Sequence, residues 1–168
     1  NMFDSTCNLL QGALDEENLK LENKQKLSNH NNEVSRTSVS LLDLIVSMTK
    51  YVPESAYNPL FTIFVKTIKF NDSLIQKRAY RIITKLNESD TGKLAITHYI
   101  KEIENVLMES TESVIMSAKP ARLAAINVIL DLLPKSDLYF IPLIVSDIIL
   151  STKDVNERSR ELSYSILI

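Results

Sequence analysis

In Asp72–Leu86 the apolar residues Ile75, Ala79, Ile82, Ile83 and Leu86 recur at helical spacing. They therefore share one face of an α-helix. Lys77, Arg81 and Lys85 follow one another at one-turn steps on the other face. The same pattern returns around Leu41–Met48, Ala125–Leu132 and Ser163–Leu167. A helix of this kind hides its stripe only by packing on a neighbour. The chain has two glycines, Gly12 and Gly92, which leaves little room for hairpin turns or phosphate-cradling loops.

Aligned by their stripes, these helices repeat. Leu41, Ala79, Ala125 and Ser163 form one column, with offsets of 38, 46 and 38 residues. Leu44-Ile45, Ile82-Ile83, Val128-Ile129 and Ile166-Leu167 form a second. The offsets bracket the period of HEAT and armadillo arrays, roughly 40–47 residues. Arg122 stands three residues before Ala125, as Arg160 does before Ser163, and Gln76 holds that position in the second repeat. Asp154, six residues before Arg160, is another HEAT-like spacing. The expected fold is all-α, a HEAT/armadillo-like α-solenoid of about four helical hairpins. The hairpins are expected over about 5–52, 55–87, 93–133 and 137–168, with a polar loop over about 22–34. Short antiparallel bundles share the periodicity, so stacking is inferred from the repeat and not from any single helix. The chain begins with Asn and ends inside an apolar helical pattern, which reads as one solenoid segment of a longer protein.

Local signals refine the elements. Cys7, Leu10 and Leu14 share a face of a short helix expected over Thr6–Leu14, open to extension by the first half of the polar stretch Asp15–Val34, so Cys7 reads as a small buried hydrophobe. Pro53 ends the helix expected over Ser35–Val52. Pro59 either follows an Asn58 N-cap or kinks a helix begun near Pro53. Asp72 caps the Asp72–Leu86 helix, and Gly92 reads as a turn glycine. One helix is expected over Leu94–Met108, and Pro120 opens the next. Asp137 is expected to cap a helix over Leu138–Leu150 that Pro142 kinks, and Asp154 to cap Val155–Ile168.

Three stretches carry a resemblance. Ile75-Gln-Lys-Arg-Ala-Tyr-Arg81, Ser117-Ala-Lys-Pro-Ala-Arg-Leu123 and Ile148-Ile-Leu-Ser-Thr-Lys-Asp-Val-Asn-Glu-Arg-Ser-Arg160 are similar, in order and spacing, to helices of the ribosomal RNA-processing protein 12 family. The similarity is good from about Leu41 onward and weak before it. The resemblance implies a long HEAT-repeat protein of the nucleolus and nucleus, with shuttling to the cytoplasm. It implies roles in small-subunit assembly, ribosomal RNA processing and preribosome export. It implies partners among ribosomal RNA precursors and preribosomal or transport proteins, and no enzymatic activity. It transfers no functional residue.

The residues themselves offer little for catalysis. One cysteine and two histidines cannot build a zinc cluster alone. His30 falls in a polar loop and His98 on a solvated face. Gly92-Lys93 lacks the upstream glycine of a phosphate loop, and Leu94 replaces its Ser or Thr. Glu102 and Glu104 point in different directions, and Phe61, Phe64, Tyr80 and Tyr99 lie at core spacings. No small-molecule substrate, cofactor or metal is expected. No apolar run reaches the roughly 18 residues of a membrane span.

Charge is the uneven feature. The whole chain carries −2, so it is no general nucleic-acid magnet. Residues 60–101 nonetheless hold Lys66, Lys69, Lys77, Arg78, Arg81, Lys85, Lys93 and Lys101 against Asp72, Glu88 and Asp90. Like charges at one-turn steps cost a few tenths of a kcal/mol per pair, which an anionic partner offsets. Lys77, Arg81, Lys85, Lys66, Lys69 and Arg78 are thus the candidate contacts for RNA or another partner. Two binding functions remain open: a ribosome-assembly scaffold, or a nuclear transport receptor-like or other protein-binding solenoid.

Overall fold

A computed structural model describes residues 2–24, 36–134 and 139–168. Among these residues there are nine α-helices and no strand. They are α1 (Met2–Lys24), α2 (Arg36–Met48), α3 (Tyr57–Ile68), α4 (Ser73–Leu86), α5 (Asp90–His98), α6 (Ile100–Glu109), α7 (Lys119–Leu132), α8 (Phe140–Ser151) and α9 (Glu157–Leu167). Helix α2 packs on α4, α4 on α7, and α7 on α9. On the other side α1 meets α3, and α6 meets α8. Helix α4 touches both runs, packing also on α3 and α5.

The apolar stripes face inward for the most part; Leu44 of α2 and Leu167 of α9 are exposed, and in α2 it is Leu42 with Ile45 that enters the core. Ile75, Ala79, Ile82 and Ile83 of α4 are fully buried, as are Ala125, Ile126 and Ile129 of α7 and Leu42 and Ile45 of α2. They belong to one continuous core with Phe64 and Ile68 of α3, Ile96 of α5 and Leu107 of α6. Helix α4 is closed at its start by Asp72, whose carboxylate accepts from the N–H groups of Leu74 and Ile75.

Several local expectations change. Helix α1 takes the extension past Leu14, with a buried Glu17 that accepts from Ser38, and it starts earlier than Thr6, with Phe3 buried. Of the polar stretch expected over about 22–34, residues 22–24 are helical and the remainder, with His30, lies outside the described residues. Helix α3 starts at Tyr57 after a 3-10 turn, Glu54–Ala56, so Asn58 is not its cap. Pro59 then sits in the first turn, where its missing N–H costs no intrahelical bond. Pro142 does the same in α8 and makes no mid-helix kink; the expected Asp137 cap lies outside the described residues.

The helix expected over Leu94–Met108 is two helices. Helix α5 begins earlier, capped by Ser89, and the chain bends at Tyr99, which leaves helical geometry at φ −98° and ψ 15°. Gly92 is not in a turn but in the first turn of α5, packed so tightly that a Cβ would lie 2.0 Å from the Leu86 carbonyl oxygen. Asp154 is not the cap of α9; the Asn156 side chain accepts from Ser159 N–H and does that work. Asp154 instead accepts from Asn156 N–H and pairs with Lys119 at 3.2 Å.

Candidate functional site

The column that holds Gln76, Arg122 and Arg160 is a row of polar ties. Gln76 is fully buried; its amide nitrogen donates to the carbonyls of Phe70 and Ser113, and its oxygen accepts from Ile115 N–H. Arg122 is 2% exposed, with its guanidinium donating to the Leu107 carbonyl, Thr111 Oγ1 and Asp147 Oδ2. Arg160 donates to the carbonyls of Asp154 and Val155. These side chains satisfy connecting backbone that the apolar stripes leave without partners, so their role is structural.

The same accounting sorts the candidate cations. Lys66 pairs with Asp15 at 3.1 Å, Lys69 with Glu109 at 2.8 Å and Lys85 with Glu88 at 2.7 Å. Arg78 holds Asp43 through two hydrogen bonds, from Nε at 2.7 Å and from Nη2 at 2.8 Å. Lys93 and Lys101 also face carboxylates, of Asp90 and Glu104. Lys77 and Arg81 have no carboxylate partner among the described residues. Together they line a groove of about 440 Å³ where α4, α7 and α9 meet. Its other walls are Thr84 of α4, Ser117 ahead of α7, Pro120, Ala121 and Ala124 of α7, and Arg158 and Leu162 of α9. Arg158 also touches Glu161 at 3.0 Å, both side chains being more than half exposed, and such a pair is worth little.

The structure thus divides the predicted stripe. Lys77 and Arg81 open onto one groove, while Lys85 turns to Glu88 at the end of α4. Arg158 was not among the candidates, because its proximity to Arg81 is set by the packing of α7 on α9 and no local spacing encodes it.

A second cleft, about 520 Å³, lies beside α3 and α5 and is lined by Pro53, Glu54, Tyr57, Leu94, His98 and Tyr99 among others. Tyr57 donates its hydroxyl to the Thr91 carbonyl. Tyr99 stacks on Phe61 with ring centroids 4.3 Å apart and meets His98 edge-on, so these rings serve packing. Cys7 is buried, and burial together with nearby Asp4 pushes its thiol up to about 11, away from the reactive thiolate. Among the described residues no group of three or more His, Cys, Asp or Glu is placed to hold a metal ion. No helix there is long and apolar enough to cross a membrane.

Among the described residues, helices without strands, polar ties between them and a groove with unneutralised cations define an all-α protein with a basic groove. Over 166 residues, 99% of its length, the chain is 47% identical to ribosomal RNA-processing protein 12 of Saccharomyces cerevisiae. It is 29% identical over 132 residues to an RRP12-like protein of Gallus gallus and 26% identical over 134 residues to one of Homo sapiens. The chain belongs to the ribosomal RNA-processing protein 12 family. It spans 13% of the length of the yeast relative and 10% of each vertebrate one. The yeast alignment covers nearly the whole chain, whereas the vertebrate ones cover 77% and 79% of it. No protein-family profile matches the chain.

Proposed function

We propose that the chain is a non-catalytic segment of a HEAT/armadillo-like α-solenoid that serves ribosomal RNA processing. The observation that carries this reading is the 47% identity to ribosomal RNA-processing protein 12 over 99% of the chain. The solenoid form is supported by the run of packed helices α2, α4, α7 and α9, whose members recur at the offsets of the sequence repeat. In such an array each hairpin buries its apolar face on its neighbours, and the surface is left for partners. In this reading hairpins pair α1 with α2, α3 with α4, α5 and α6 with α7, and α8 with α9.

The partners are ribosomal RNA precursors and preribosomal or transport proteins. The setting is small-subunit assembly and preribosome export, in the nucleolus and nucleus with passage to the cytoplasm. RNA meets the basic residues of α3 and α4. Lys77 and Arg81 contribute most; Lys66, Lys69, Arg78 and Lys85 contribute less, because a phosphate has to displace the carboxylates they already hold.

Crosslinking and tagged purification of the full-length protein test the function. Small-subunit precursor RNA is the expected co-purified species. Transport cargo without precursor RNA would favour a transport-receptor-like solenoid and overturn the proposal.

A further inference from the structure

Repeat symmetry makes Arg81 anomalous. At the junction of α2 and α4, Asp43 and Arg78 close the surface with a two-bond ion pair. The repeat offset of 38 residues takes Asp43 to Arg81, and the offset of 46 takes Arg78 to Ala124. At the junction of α4 and α7, the positions that hold a matched acid and base are therefore occupied by an arginine and an alanine. Both line the open groove, with Lys77 one turn from Arg81 and Arg158 reaching in from α9. The cation stands where the fold elsewhere supplies its counter-charge.

We infer that the groove between α4, α7 and α9 binds the phosphates of a single-stranded RNA, with Arg81 as the anchor and Lys77 and Arg158 flanking it. This rests on the RNA-contact reading above. A guanidinium freed of its carboxylate offers a planar fork that matches phosphate oxygens two at a time. Positively charged grooves that track the backbone are how proteins hold single strands. A duplex is met instead by elements that enter or span its grooves. Of the apolar lining Pro120, Ala121, Ala124 and Leu162, only Leu162 is a large side chain, short of the row of anchors that an amphipathic peptide needs. Affinity then has to come from charge, which favours a polyanion.

The test is a fluorescence titration of labelled poly(U) RNA with the chain at several salt concentrations. Circular dichroism serves as the folding control. K77Q/R81Q/R158Q should flatten the log–log salt slope by about 2, at roughly 0.7 per single-strand phosphate. A124D restores a carboxylate beside Arg81 and should weaken binding by about one such contact, ~0.7 in slope, without loss of helix. K66Q/K69Q, which removes two cations that lie outside the groove, should change the slope much less than the triple variant. A folded triple variant with an unchanged slope, still binding RNA, overturns the groove alone. A wild-type chain with no RNA affinity overturns the groove and the RNA-contact reading together. Tighter binding of polyglutamate than of poly(U) also overturns it and assigns the groove to an acidic protein segment.

Discussion

Arg122 ties three parts of the structure together. It is buried to 2% exposure, and its partners come from α6, from the turn after α6 and from α8. Removing it leaves the Asp147 carboxylate without its cation and takes a donor from Thr111 Oγ1, while the Leu107 carbonyl keeps the Ser110 and Thr111 hydroxyls. Breaking a buried pair from one side costs about 3–5 kcal/mol. R122M should therefore lose about 3 kcal/mol in urea denaturation, the low end because Asp147 keeps some solvent. R122K, which keeps the charge but not the fork, should fall between wild type and R122M. Tyr80 makes the opposite case. Its hydroxyl is buried near Arg122 and Ser110 without meeting hydrogen-bond geometry to any partner, and burial pushes its pKa up. Y80F should be neutral or stabilising by up to about 1 kcal/mol, because no partner is orphaned. The repeat spacing alone picks out Arg122, Gln76 and Arg160, but not their partners. Arg122 and Asp147 are 25 residues apart, and only packing brings them together.

At the scale of the elements, the two glycines differ in kind. Gly12 lies on an open face of α1, where an added Cβ would meet nothing within 4 Å, whereas Gly92 is jammed against the Leu86 carbonyl. G12A should stabilise by roughly 0.5–1 kcal/mol, through higher helix propensity. G92A should destabilise by about 1–3 kcal/mol, since backbone must shift. Thermal melts of both variants check the pair. Asp154 links the entry of α9 to α7. The Asn156 N–H, Lys119 and Arg160 together hold its carboxyl below the ordinary 3.8, although burial works the other way. A lowered folded pKa adds stability above the unfolded pKa, and that stability is lost as pH falls through the folded pKa. Melting temperature should thus drop less steeply below about pH 4 in D154N than in wild type, from a lower starting value. The apolar stripes of these helices were legible because burial repeats every 3.6 residues. The bend at Tyr99 was not, since neither proline nor glycine marks it. The Asn156 cap was missed because Asp154, an equally good cap type, stands two residues ahead of it.

For the whole molecule, periodicity makes the helical class and the run of α2, α4, α7 and α9 readable in advance. The surface was readable only in part. Counting charge over residues 60–101 finds the basic region, but six of its eight cations are spoken for by carboxylates, some of them from distant helices. Linear charge cannot reveal which remain bare; that depends on side-chain pairing across junctions, as between Arg78 and Asp43. Among the described residues Lys77 and Arg81 are what is left, on one groove that Arg158 of α9 also lines, in a chain whose relatives are named for ribosomal RNA processing. Ultraviolet crosslinking of preribosomes purified through the full-length protein, with mass spectrometry of nucleotide-bearing peptides, tests this most directly. Crosslinked peptides are expected from α4, from the segment ahead of α7 and from α9. Crosslinks confined to α3, α5 and their cleft, with α4, α7 and α9 peptides recovered unmodified, would contradict it.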